Sequence, residues 1–158
     1  MYQAGKKETK TDLALKLFEY CLYTLQIQPK GFLFDSFYAS DKIMKYLDSR
    51  GFKFYSQCKT NRVLNGTQVH TRKRPYWTEQ GKLKDIKLSV QVTRHRKKYF
   101  ITNDLEIDGK KQRTVYRIRW KIEEVFRFIK SEPGFEKCEC HSLHKQNNHF
   151  GDLHRCMS

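Results

Sequence analysis

Residues 32–62 read FLFDSFYASDKIMKYLDSRGFKFYSQCKTNR, and the fold class turns on this stretch. The apolar run Phe32, Leu33, Phe34 stops abruptly at Asp35, the pattern of a buried strand that delivers a carboxylate at its C-terminal end. Ser40 is a natural N-cap for a helix from about Asp41 to Ser49, with Ile43, Met44 and Leu47 as its buried face and Gly51 placed to end it. Phe52, Phe54, Ser56 and Cys58 then alternate with Lys53, Tyr55, Gln57 and Lys59, so a second strand follows. The unit is strand, helix, strand, and the class it implies is α/β.

Working outward, Leu13, Leu17, Leu22 and Leu25 with Phe18 and Cys21 recur at helical spacing before Pro29. A helix is expected over residues 12–27, with Thr11 or Asp12 as its cap. On the other side, from about Asn61 to Arg113, the period becomes two. Ile86, Leu88, Val90 and Val92 face one way and Lys87, Ser89, Gln91 and Thr93 the other; the basic turn RHRKK then leads into a second strand, YFITN. The DG of EIDGKK reads as a further turn. With no internal repeat and no Pro-rich or Gly-rich linker, the 158 residues read as one domain in which residues 61–113 form an embedded β-rich insertion.

Charge narrows the partners. Lys and Arg number 32 against 17 Asp and Glu, a formal charge of +15, while 14% aromatic residues are enough to build a core. A polyanion is the expected partner, and double-stranded DNA comes first. An anionic membrane surface would favour basic residues concentrated on one long amphipathic segment, and here they are spread along the chain. No apolar stretch is long enough for a membrane span, MYQAGKKETK has no signal-peptide core, and five Cys without a secretory context fit a reducing cytoplasm. Among the aromatic residues of the basic insertion, Trp77 in RKRPYW is a candidate for stacking on a DNA base, beside the plainer reading of a half-buried aromatic.

The segment TVYRIRWKIEEVFRFIK, residues 114–130, is amphipathic in an informative way. Taken as one helix at about 100° per residue, with Tyr116 at 0°, it puts Arg119 at about 300°, Glu123 at about 340° and Lys130 at about 320°. The four share one stripe. Val115, Ile118, Ile122, Val125, Phe126 and Ile129 fill the adjoining arc and are expected to face a core. Ion pairing of Glu123 with Arg119 or Arg127 on an ordinary basic helix is the plainer account of the same charges.

Tyr116-x2-Arg119-x3-Glu123-x6-Lys130 resembles the Y-x2-R-x3-E-x6-K signature of the IS-4-like insertion-sequence transposases, members of the DDE class. Four fixed positions, each at a frequency of roughly 5%, would recur by chance in a chain of this length about once in a thousand cases. The stretch from Phe32 to Arg62 is similar to that family's block around its second catalytic Asp, in which a strand ends at the Asp, a helix follows, and the next strand ends in Lys-x-Asn, here Lys59 and Asn61. The resemblance implies an RNase H-like mixed sheet. It makes Asp35 and Glu123 two of three carboxylates that hold a pair of Mg²⁺ or Mn²⁺ ions for phosphodiester cleavage and strand transfer at transposon ends. It implies DNA contacts by Tyr116, Arg119, Lys130, Lys59 and Asn61, and a bacterial, nucleoid-associated setting in which a second transposase protomer can take part.

The sequence departs from that pattern in front. Only 34 residues precede Asp35, and the only Asp among them is Asp12 at a helix cap, so the first strands and their catalytic Asp are expected to be missing and the chain to be a truncated transposase without independent activity. Asp12, Asp41 and Asp104 are the nearest carboxylates that could complete a set. A basic DNA-binding module without chemistry, one that interferes with an intact transposase, is the alternative. At the other end, Cys138, Cys140, His141, His144, His149, His154 and Cys156 crowd together, but no Cys-x2-Cys pair is present and a packed tail is expected rather than a zinc site.

Overall fold

The computed structural model describes residues 8–84 and 86–131; the Cys and His tail lies outside the described residues. The chain divides into two compact units, Met1–Ile118 and Arg119–Ser158.

In the first unit the parallel pair forms as the sequence pattern requires. Strand β1 (Phe32–Phe34) leads through α2 (Asp41–Ser49) into β2 (Phe54–Gln57), and the two strands pair parallel with Phe34 opposite Ser56. Ser40 caps α2 by accepting from the Ile43 N–H, and Gly51 takes φ +73°, the left-handed conformation that ends a helix at least cost. Ahead of this unit lies α1 (Lys10–Glu19), which runs on into a single π-helical turn, Tyr20–Thr24. Its cap is Thr9, not Thr11 or Asp12, and Asp12 instead closes a reciprocal capping box with Thr9. The chain meets the core through Ala14, Leu15 and Phe18, while Leu13 and Leu17, expected on the buried face, are exposed.

The β-rich segment builds a two-stranded ladder from β3 (Val63–Leu64) and β4 (Thr67–Gln68), then β5 (Tyr76–Lys82), β6 (Ser89–His95) and β7 (Lys98–Thr102). The last three extend the sheet that β1 and β2 begin, in the order β1-β2-β7-β6-β5, with only β1 and β2 parallel. Both faces are covered at its centre. One carries Phe34, Phe54, Val90, Val92 and Ile101 against Ile43, Met44 and Leu47 of α2. The other carries Tyr55, Phe100, Thr93 and Gln91 and meets the third helix, α3 (Gly109–Arg117).

Residues 108–109, expected as a turn, start that helix. Asp108 is its N-cap, accepting from Lys110 and Lys111 N–H at 2.8 and 2.9 Å. A buried polar network then fastens α3 to the sheet: Gln112 Oε1 accepts from Thr93 Oγ1 at 2.7 Å and from Gln91 Nε2 at 3.2 Å. Tyr116 adds an apolar contact, its ring centroid 5.3 Å from that of Phe100.

The helix expected over residues 114–130 is interrupted. Ile118 N–H bonds back three residues to Val115 and Ile122 N–H three residues to Arg119, and α4 (Trp120–Ser131) starts anew. Of the arc expected to face a core, Ile118, Ile122, Val125 and Phe126 are exposed, and no residue of α4 is buried. Helical spacing groups residues on a face; it does not say what covers the face. Among the described residues no helix is long and apolar enough to cross a membrane.

Gly109 tests how closely α3 sits on the sheet. A Cβ there would lie 2.3 Å from Thr78 Oγ1 and 2.9 Å from both branches of Thr93, so no Thr93 rotamer clears it. Gly109→Ala should cost on the order of 1–3 kcal/mol, read as a lower urea midpoint with unchanged slope. An unchanged midpoint would mean that α3 can shift from Thr78 and Thr93 at no cost.

Candidate functional site

Parallel strands finish side by side, so the loops after β1 and β2 emerge at one end of the sheet. Asp35 opens the first of them. Its Oδ1 accepts from the Phe37 N–H at 2.9 Å and from the Tyr38 N–H at 3.3 Å, and its carbonyl accepts from Ser56 Oγ at 3.0 Å. The carboxylate is half-buried and fixed in orientation, and Oδ2 has no partner among the described residues. Lys59 and Asn61, both exposed, lie in the loop after β2. The two loops are tied by Arg62, which pairs with Asp41 and donates through Nη2 to the Ala39 carbonyl at 2.7 Å. Arg62 was not among the residues singled out in the sequence, where a lone Arg after Lys-x-Asn carries no signal of its own.

The remaining candidates belong to other elements. Tyr116 belongs to α3 and is 6% exposed against Phe100, so its ring is covered where a DNA contact was expected. Trp77 is half-buried on the α2 side of the sheet with Arg72 over its ring at 5.1 Å and Tyr99 at 6.3 Å. In the second unit, Glu123 lies in the first turn of α4 and pairs with Arg119, and Lys130 lies in the last turn. Those positions suit a helix whose N-terminus favours negative charge and whose C-terminus favours positive charge. Tyr116 and Lys130 therefore fall on two helices, not on the one continuous helix that spacing predicts.

The sequence matches the Transposase DDE domain family over residues 10–154. The chain belongs to that family. No protein of curated function matches it. DDE transposases typically use divalent metal ions, and the donor chemistry here can be compared with that use. Asp35 Oδ2 is a hard oxygen ligand of the right kind. The number falls short: among the described residues no three His, Cys, Asp or Glu side chains lie together as a metal site would need. The carboxylates named as candidates to complete a set are engaged. Asp12 is held well below the usual carboxylate range by Lys42 and Thr9, Asp41 pairs with Arg62, and Asp104 accepts from Tyr55 Oη at 2.7 Å with Lys53 3.5 Å away. The described residues do not fit a two-ion centre by themselves. Cys58, beside the same loop, is no substitute nucleophile, because burial pushes its thiol up to about 12 against the smaller opposing effect of Arg62.

Arg62 joins the two loops from a largely buried position. Removing it leaves the Ala39 carbonyl and the Asp41 carboxylate without their shared donor. Arg62→Ala should lower stability by about 1–3 kcal/mol in urea unfolding, and Arg62→Lys should recover only part of that, because an ammonium cannot serve both acceptors in the same fork geometry. Full recovery by Lys would reduce the role to charge alone.

Proposed function

We propose that this chain is an IS-4-like transposase domain that binds double-stranded DNA at transposon ends and in the target, with residues 61–113 as its β-rich insertion. The observation that carries the reading is the family match over residues 10–154 together with a half-buried Asp35 at the C-terminal end of a parallel strand pair. Asp35 and Glu123 are the carboxylates we assign to the family's divalent ion, Mg²⁺ or Mn²⁺. When bound, such an ion supplies Lewis acidity toward a scissile phosphate.

The chain's own residues suggest the rest of the assignment. Lys59 and Asn61, exposed beside the Asp35 loop, would hold phosphates of the DNA backbone. Arg119 neutralises Glu123 in the unbound chain. A DNA phosphate that competes for this guanidinium would release the carboxylate, and Lys130 would add a second cationic contact on α4. Tyr116 we assign to anchoring α3 on the sheet instead of contacting DNA. Trp77 would stack on an unpaired base only by displacing Arg72 from its face.

The short supply of metal ligands among the described residues favours a second reading as well. In it the chain occupies transposon ends without cutting them and so inhibits an intact transposase.

Duplex binding separates both readings from a chain that does not use DNA. With an excess of 15 positive charges, affinity should fall steeply between about 50 and 200 mM salt, because each counterion displaced by a phosphate contact gains less entropy in a saltier solution. Filter binding measures this directly, and a folded sample that retains no DNA at low salt would sink both. Asp35→Asn should keep DNA binding and weaken Mn²⁺ binding followed by electron paramagnetic resonance. If Mn²⁺ binding is the same in Asp35→Asn and Glu123→Gln as in the parent, the carboxylate assignment fails.

A further inference from the structure

Across the strand order from Asp35, at the same end of the sheet, lies a second cluster, and its interpretation rests on the DNA-binding reading above. Register across three strands puts Tyr76 opposite His95 and His95 opposite Lys98, one row at the tip of the β6–β7 hairpin. Alternation puts that row on the face that carries Thr93 and Phe100, where α3 lies. The helix does not cover it. Tyr76 is 55% exposed, Lys98 is exposed, and His95 is half-buried.

The cluster is cationic on every side. The Tyr76 and His95 rings meet edge to face at 5.1 Å, and Arg96 Nε donates to Tyr76 Oη at 3.2 Å. Partial desolvation, then Arg113 of α3, then Arg96 hold His95 below its ordinary value. None of Arg96, Lys97, Lys98 and Arg113 forms an ion pair among the described residues. Cations gathered without counter-charges repel one another, so the cluster gains when an anion arrives.

Arg96 adds a backbone observation. It is the first residue of the two-residue turn between β6 and β7 and holds φ +57°, a conformation that glycine adopts without the cost an arginine incurs. Its side chain must therefore be separable, by experiment, from its contribution to folding.

Topology supplies the scale. Because β7 runs antiparallel to β2, with Gln57 opposite Phe100, the start of β7 lies at the end of the sheet where β1 and β2 finish. The order β1-β2-β7-β6-β5 then makes four steps from the strand of Asp35 to the strand of Tyr76, about 19 Å at about 4.8 Å per step. At about 3.4 Å of duplex axis per nucleotide of one strand, this spans roughly five or six phosphates of that strand.

We propose that Tyr76, His95, Arg96, Lys98 and Arg113 form a second binding site for the sugar-phosphate backbone of duplex DNA, which lies across this end of the sheet from the Asp35 loop to the β6–β7 hairpin. Arg96 and Arg113 supply charge to the phosphates. The Tyr76 hydroxyl, which accepts from Arg96, keeps its own proton to donate to a phosphate oxygen.

Fluorescence anisotropy of a labelled duplex with the 158-residue chain, across a salt series, tests the site. Arg96→Gly should melt at the same temperature as the parent or higher, yet bind DNA about five- to tenfold more weakly, with the slope of log affinity against log salt reduced by about 0.9. Arg113→Gln should behave likewise in binding, and the double variant should lose about 1.8 of slope. Lys45→Gln removes the same charge from the exposed side of α2 and should leave the slope near that of the parent. If the parent binds DNA but Arg96→Gly and Arg113→Gln match it, or match Lys45→Gln, this site is overturned while DNA binding stands. If the folded parent binds no DNA, the underlying reading falls with it.

Discussion

Strand β2 is hydrogen-bonded on both sides, parallel to β1 and antiparallel to β7, and the first unit is organised around that double pairing. A strand in that position has no free edge and no solvated face, which accounts for Phe54, Tyr55 and Ser56 all being buried. The parallel side brings the Asp35 and Lys59 loops out together. The antiparallel side brings the β6–β7 hairpin to the same end. One four-residue strand thus aligns the chemistry-bearing loops of β1 and β2 with the basic tip of a hairpin some forty residues downstream.

Buried polar groups hold the other face in register. Gln112 binds Thr93 and Gln91, and Gln91 also donates to the Ile107 carbonyl at 2.7 Å, so α3 is located by directional bonds as well as by the Tyr116 and Phe100 rings. Such a network tolerates few alternative positions for the helix, because each shift leaves a buried donor or acceptor unsatisfied. It also accounts for Tyr116, a residue whose place in a family signature invites a reading as a DNA contact and whose surroundings give it a packing role.

Electrostatics divide between paired and unpaired cations. Arg62 and Arg72 are spent on Asp41 and Glu79 and hold loops and a strand in place. The cations of the hairpin tip have no such partners among the described residues. Charge excess is a property of the whole composition, but the unpaired part of it is available to a polyanion without first breaking an ion pair.

Much was legible in residue order. The apolar run stopped by Asp35, the Ser40 cap, the Ile43, Met44 and Leu47 face and the Gly51 end define β1, α2 and β2 because each depends on neighbours within one turn or one strand. The two alternating runs around RHRKK define β6 and β7 for the same reason. Asp108 and Gly109 read as a turn although they start a helix, because Asp-Gly serves both purposes, and the break at Ile118 and Arg119 has no Gly or Pro to announce it. What the sequence by itself determined is therefore the local elements, the positive charge and the membership of Asp35 in a strand-end loop. The tertiary structure alone decided that β7 pairs with β2, that Gln112 and Tyr116 face the sheet, and that Arg62 joins two loops, because these depend on groups far apart in the chain meeting across hydrogen bonds whose partners no local pattern specifies.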